Sequence, residues 1–221
     1  MIAFLAAVHH EDAAVRVALA RIGRLAGRKL ARCDAVSVTY AGDDGVTTLE
    51  ADPELVRAID AAYGESNGSC LRWLRDRRPG GGQGDASITW PGFRGQYLGL
   101  GLRSVVAVPL FTAVGPPVAS LDVWSRSPVA LDPLRTALVV LCDCHNAGTS
   151  WGAPAGLGPG ERQLAEGLGR ALEVRRVINQ AVAHLAGRHQ VSLDDAFEQL
   201  RVDARSRGTN IARTARRLLI S

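Results

Sequence analysis

The sequence predicts an α+β unit built on an antiparallel sheet flanked by helices, followed by an all-α three-helix bundle. Three observations predict it. Through residue 147, short β-branched runs bounded by turn residues alternate with helical stretches. Residues 148–160 are rich in glycine and proline, the composition of a linker. From residue 161 to 221 the hydrophobic pattern is helical throughout.

The elements follow in order. Val15, Leu19, Ile22 and Leu25 recur at three- and four-residue steps, which predicts a helix over 11–32 with these four side chains inward. Ala35 to Tyr40 alternates as a strand, Gly42-Asp-Asp-Gly45 turns, and Val46 to Ala51 returns, making a hairpin. Pro53 stands in the first turn of a helix reaching Ala62, and a short helix is expected from Cys70 to Asp76. Pro79 to Gly84 reads as a flexible loop; its glycines lack the Lys-Ser/Thr pair of a phosphate-binding loop. Ser104 to Leu110 and Val118 to Trp124 are strands, with Gly115-Pro-Pro117 turning the chain between them. Asp132-Pro133 opens a helix to Asn146.

In the last stretch, Glu161 to Arg188 reads as one long helix. Leu164, Leu168, Ala171, Arg175, Ile178, Val182 and Leu185 form a four-three seam. Such a seam pairs with a second chain or packs within the monomer, and we expect the former. Ser192 caps a second helix whose inner stripe is Ala196, Phe197, Leu200 and Ala204. Thr209 or Asn210 opens a third, with Ile211, Ala215, Leu218 and Leu219 inside.

The totals narrow the function. The chain has 221 residues, 47% hydrophobic and 22% charged, enough for a buried core. No apolar run reaches the ~20 residues of a membrane span, and the apolar start lacks the basic region of a signal peptide. A cytoplasmic protein is expected, with no membrane partner. Four cysteines do not make a disulfide framework in a chain this long. Cys142-Asp-Cys144-His145 is too tight and too lone for a zinc site, so no metal and no cofactor is expected. No nucleophile-base pattern stands out, so an enzyme is not expected. The net charge of +4 lies wholly in residues 161–221, an asymmetry that suits a nucleic-acid-binding end.

Two families are recognisable. Gly68-Ser-Cys-Leu71, Trp90-Pro91 and Gly101-Leu-Arg-Ser-Val-Val-Ala-Val-Pro-Leu110 resemble a GAF domain of the type joined to ANTAR domains. Ser69 and Thr89 depart from the usual proline and arginine. The resemblance implies a sensory or dimerisation module over residues 1–147. Trp73, Trp90, Tyr97 and Trp124 would line its small-ligand pocket, or else fill its core.

Leu168, Ala171-Leu172, Arg175, Ile178, Gln180-Ala181 and Leu185 resemble an ANTAR domain. Asp194-Asp-Ala-Phe197, Leu200-Arg201, Ala204-Arg205, Asn210 and Ala215 continue the pattern. The resemblance implies an antitermination regulator, a homodimer, that holds RNA hairpins in nascent transcripts. The residues expected to contact RNA are Arg175, Arg176, Gln180, His184, Arg188, Arg201, Arg205 and Arg213, because arginine serves both phosphates and exposed bases. Arg175, in the seam, is the one with a structural alternative. Val182-Ala183 replaces the usual Lys-Gly, which removes an expected phosphate contact. The alternative function is therefore a GAF sensor whose ANTAR end no longer binds RNA.

Overall fold

The computed structural model describes residues 1–8, 14–42, 45–50, 53–57, 80–83, 99–113 and 117–220. Five strands form one antiparallel sheet: β1 (Ala35–Gly42), β2 (Gly45–Glu50), β3 (Gly80–Gln83), β4 (Ser104–Phe111) and β5 (Pro117–Ser125), in the order β2-β1-β5-β4-β3. The helices are α1 (Ile2–Leu5), α2 (Ala14–Lys29), α3 (Asp132–Asn146), α4 (Pro159–His189), α5 (Leu193–Ser206) and α6 (Ile211–Ile220). A helical turn also covers 53–57, where Pro53 was expected to open a helix; most of that helix, and the one expected at 70–76, lie outside the described residues.

The expected antiparallel sheet with flanking helices and the expected C-terminal bundle are both present. Val36, Val38, Val106, Val108, Leu110, Leu121 and Val123 face one side of the sheet and share a core with α1, α2, α3 and the first half of α4. The period of two puts Ser37, Thr39, Ser120, Asp122 and Trp124 on the opposite side, all buried. There the Asp122 carboxylate accepts from the Thr39 and Ser120 hydroxyls, and the Trp124 indole N–H donates to Ser37 Oγ at 3.0 Å. Gly101 precedes β4 at φ +71°, a conformation only glycine adopts without strain, which accounts for the motif glycine.

Four expectations need correction. Gly80–Gln83, read as loop, is an edge strand on β4; backbone pairing needs no side chain, so a glycine run can be zipped on by its neighbour although its propensity is poor. Leu25 is 37% exposed and Ala26 takes the inward position at the end of α2. In α6 the buried positions are Ile211, Thr214 and Ala215, whereas Leu219 is 40% exposed.

The fourth correction concerns the seam of α4. Leu164, Leu168, Ala171, Ile178, Val182 and Leu185 are all buried within one chain, so they are not available to a second copy. The first three meet the sheet-side core. The rest form a second core with Phe197, Leu200, Ala204, Ile211 and Ala215. The seam needs no partner chain because α1, α3, α5 and α6 cover it along its length. The N-terminal α1, which the sequence pattern does not announce, supplies Ile2 and Leu5 to that cover.

Helix ends follow local chemistry. Glu161, 3% exposed, accepts from the Gly158 N–H at 2.7 Å, and Ser192 Oγ accepts from Asp195 N–H at 3.0 Å. Asn210 Oδ1 accepts from Arg213 N–H at 2.9 Å to open α6. Gln190 ends α4 in the left-handed region at φ 54°.

Candidate nucleic-acid interface

The second half of α4 has two faces. Ile178, Ala181, Val182 and Leu185 are buried in the three-helix core. Arg176, Gln180, His184 and Arg188 are exposed and four residues apart, so they form one inclined row about 18 Å long that winds along the exposed side of the helix. This row contains four of the eight expected RNA contacts.

Arg175 is not among them. Its Nη1 donates to the Thr112 carbonyl at 2.6 Å and its guanidinium lies 4.9 Å from the centre of the Phe111 ring. A helix turns about 100° per residue, so Arg175 and Arg176 point to different surroundings. Arg175 joins α4 to the end of β4, and Arg176 faces water.

Arg176 is held on its own helix. Its Nε and Nη2 donate to the Glu173 carboxylate at 2.9 and 2.8 Å, and its Nη1 donates to Gln180 Oε1 at 3.1 Å. The hydrogen bond from Arg176 holds the Glu173 carboxyl below its ordinary value, with the charges of Arg176, His145 and Arg216 adding to the effect. The same hydrogen bond raises Arg176. Arg216, on the exposed face of α6 with Arg213 and Arg217, is close enough to Glu173 for its charge to act on that carboxyl, and α6 packs on α4. His145, at the end of α3, is near the same group. Burial lowers its pKa, Arg176 lowers it further and Glu173 opposes the shift.

A shallow cleft continues this surface between α3 and α4, with Asn146, Arg176, Asn179, Gln180 and Ala183 along it. Sequence reasoning missed Arg216, Asn179 and His145. Nothing in the sequence separates Arg216 from its neighbours Arg213 and Arg217; its nearness to Glu173 comes from how α6 packs on α4.

The two expected contacts on α5 stand apart. Arg201 is ion-paired to Glu198 at 2.6 Å, and Arg205 is exposed with no side-chain partner among the described residues. No hydrogen bond or ion pair links either to the α4 row. Exposed helical pairs of this kind contribute only a few tenths of a kcal/mol, so Glu198 and Glu173 would yield their arginines to a phosphate at small cost.

Val182 is 2% exposed in the three-helix core. The departure from lysine thus changes packing and leaves the exposed row intact. Of the aromatic residues expected to line a ligand pocket, Trp124 is 1% exposed and pinned by Ser37 on the far face of the sheet. Trp73, Trp90 and Tyr97 lie outside the described residues. Among the described residues no group of His, Cys, Asp and Glu side chains could hold a metal, and no helix is long and apolar enough to cross a membrane.

One comparison falls on this segment. The ANTAR domain family model matches residues 166–219, the second part of α4 with α5 and α6. Among solved structures, the chain is similar to the GAF domain region of a protein from Geobacter sulfurreducens PCA. The identity is 17% and the TM-score 0.41, over 69% of this chain and 91% of that one. No curated protein matches.

Proposed function

We propose that this chain is an RNA-binding transcription antitermination regulator of the cytoplasm. Its C-terminal helices hold paired hairpins in nascent RNA. The observation that carries this reading is the ANTAR match over 166–219, which includes a helix with an exposed row from Arg176 to Arg188 beside its buried stripe. Arg176, Arg213 and Arg216 meet phosphates, while Gln180 and His184 reach bases or sugars. Arg188, Arg201 and Arg205 extend the basic surface. The first 147 residues act as a GAF-type sensor of a small ligand or as a dimerisation unit, a reading supported by the Gly101 to Leu110 motif on β4 and by the buried polar face around Trp124. Helix α4, entered from the glycine- and proline-rich stretch before it, joins the two parts, and any homodimer uses a surface other than the α4 seam.

The test is binding of the full chain to a two-hairpin RNA, followed by fluorescence anisotropy across a salt series. We expect preference over an unstructured RNA of equal length. Replacing both Arg176 and Arg216 by alanine should flatten the salt dependence by about 0.7 per lost contact. A folded chain that does not distinguish the two RNAs overturns the reading and favours a sensor without RNA binding.

A further inference from the structure

On the core side of the sheet, α1, α2 and the first half of α4 leave a cavity of about 170 Å³. Its walls include Ile22 and Ala26 of α2 and Leu164 of α4, and Leu121 of β5 closes it at the sheet. All four are buried. The cavity has an identifiable origin. Gly160, Gln163, Leu164 and Gly167 share one face of α4, and two of them lack a side chain. Gly160 is required, because a Cβ there would collide with the Lys29 carbonyl of α2. Gly167 is not required by any close approach. A Cβ there would meet only Ile2 Cδ1, at an ordinary 3.7 Å. A well-packed core would place a larger apolar group at this position; glycine keeps the space open.

The rim carries cations. Lys29 and Arg170 are both exposed and both line the cavity, Lys29 at the Gly160 end of α4 and Arg170 ten residues further along it, and no acidic side chain lines the cavity. Lys29 has no side-chain partner among the described residues. Arg170 has a loose pair with Glu166 at 3.7 Å, with both side chains well exposed, which a competing anion can replace. An apolar interior with cations at the rim suits a ligand that is apolar at one end and anionic at the other. An apolar cavity of about 150 Å³ accepts a benzene-sized group, so the tail is one ring or about six carbons.

We propose that this cavity is a binding site for a small apolar carboxylate, with its tail between Leu121 and Leu164 and its carboxylate at one of the two rim cations, Lys29 or Arg170. The site is on the opposite face of the sheet from Trp124, so it is separate from any pocket formed by that residue. One of its walls is α4, the helix that continues into the three-helix core, and binding here does not depend on RNA binding.

Calorimetric titration of the full chain with hexanoate and with 1-hexanol tests this. Hexanoate should bind one per chain with a dissociation constant on the order of millimolar or tighter, given its few heavy atoms. Hexanol should bind about fivefold more weakly, the value of one exposed charge pair. Lys29→Ala with Arg170→Ala should bring hexanoate down to the hexanol level. Gly167→Leu should fill the cavity and abolish both. If circular dichroism shows that this variant is unfolded, Leu25→Trp at the mouth takes its place. Absence of hexanoate binding, equal binding of the two probes, or binding retained in the filled or blocked variant overturns the proposal.

Discussion

The two halves of α4 enter different cores. The first half packs Leu164, Ala165, Leu168 and Ala171 against a sheet, with α1, α2 and α3 around it. The second half packs Val177, Ile178, Ala181, Val182 and Leu185 against two short helices, and Phe197 is the large aromatic side chain of that core. The first core is broad and laminated by strands; the second is small, with alanines interleaved among larger aliphatic side chains. Yet they are not independent. Ala113, just after β4, packs into the second core while its N–H donates to the Val8 carbonyl at 2.9 Å, and Arg175 reaches back to Thr112 and Phe111. A single helix thus connects a sheet and a bundle, and the connection is reinforced by one arginine and one alanine.

The largest expected effect comes from Phe197→Ala. Emptying the main aromatic site of the small core should cost about 3–5 kcal/mol. All four tryptophans precede α4, so indole fluorescence reports the sheet-side unit while far-ultraviolet dichroism also reports the bundle. In the variant the dichroism should change at lower denaturant than the fluorescence. Coincident transitions would mean the cores unfold as one, and the contrast drawn above would fail.

Arg175→Met is next. It retains apolar bulk but removes the charged donor to Thr112 and the contact with Phe111, which should cost about 2 kcal/mol. Denaturant unfolding would measure it. A loss much below 1 kcal/mol would show that the cores are joined by helix continuity alone.

Ser192→Ala removes the cap of α5 and should cost about 1 kcal/mol, again in the bundle transition only. The smallest effect is in pH. Burial depresses His145, so its neutral form is favoured on folding. Its contribution is full above the ordinary histidine value of about 6.5 and is lost as the pH falls from there through the lower folded value. His145→Gln should flatten the acid side of the stability profile slightly in that window. An unchanged profile would remove His145 from the contact between α3 and α4.

The legibility of the chain divides along similar lines. The bundle was readable because its signals are local. The stripe Ala196, Phe197, Leu200 and Ala204 has helical period, and Ser192 and Asn210 cap the helices they precede. The strands β4 and β5 were readable from β-branched runs. β3 was not, since Gly80 to Gly82 carry no pattern and become a strand only by pairing with Val105 to Ala107. The interface was half readable. Arg176, Gln180, His184 and Arg188 lie on one exposed row, whereas the charge of Arg216 reaches Glu173 only through the packing of α6 on α4.

The sequence by itself determined the caps of the C-terminal helices, most of each apolar stripe, and where the excess positive charge lies. These depend on neighbours a few positions away, through dihedral preference, capping and periodicity. Tertiary structure alone decided what each face meets. It closed the α4 seam within one chain, buried position 182, turned Arg175 to a strand while Arg176 stayed in water, and left an apolar cavity beside Gly167. Adjacent identical arginines differ because the helix rotates them toward different surroundings: the partner of Arg175 lies some sixty residues away in the chain, whereas those of Arg176 lie on its own helix.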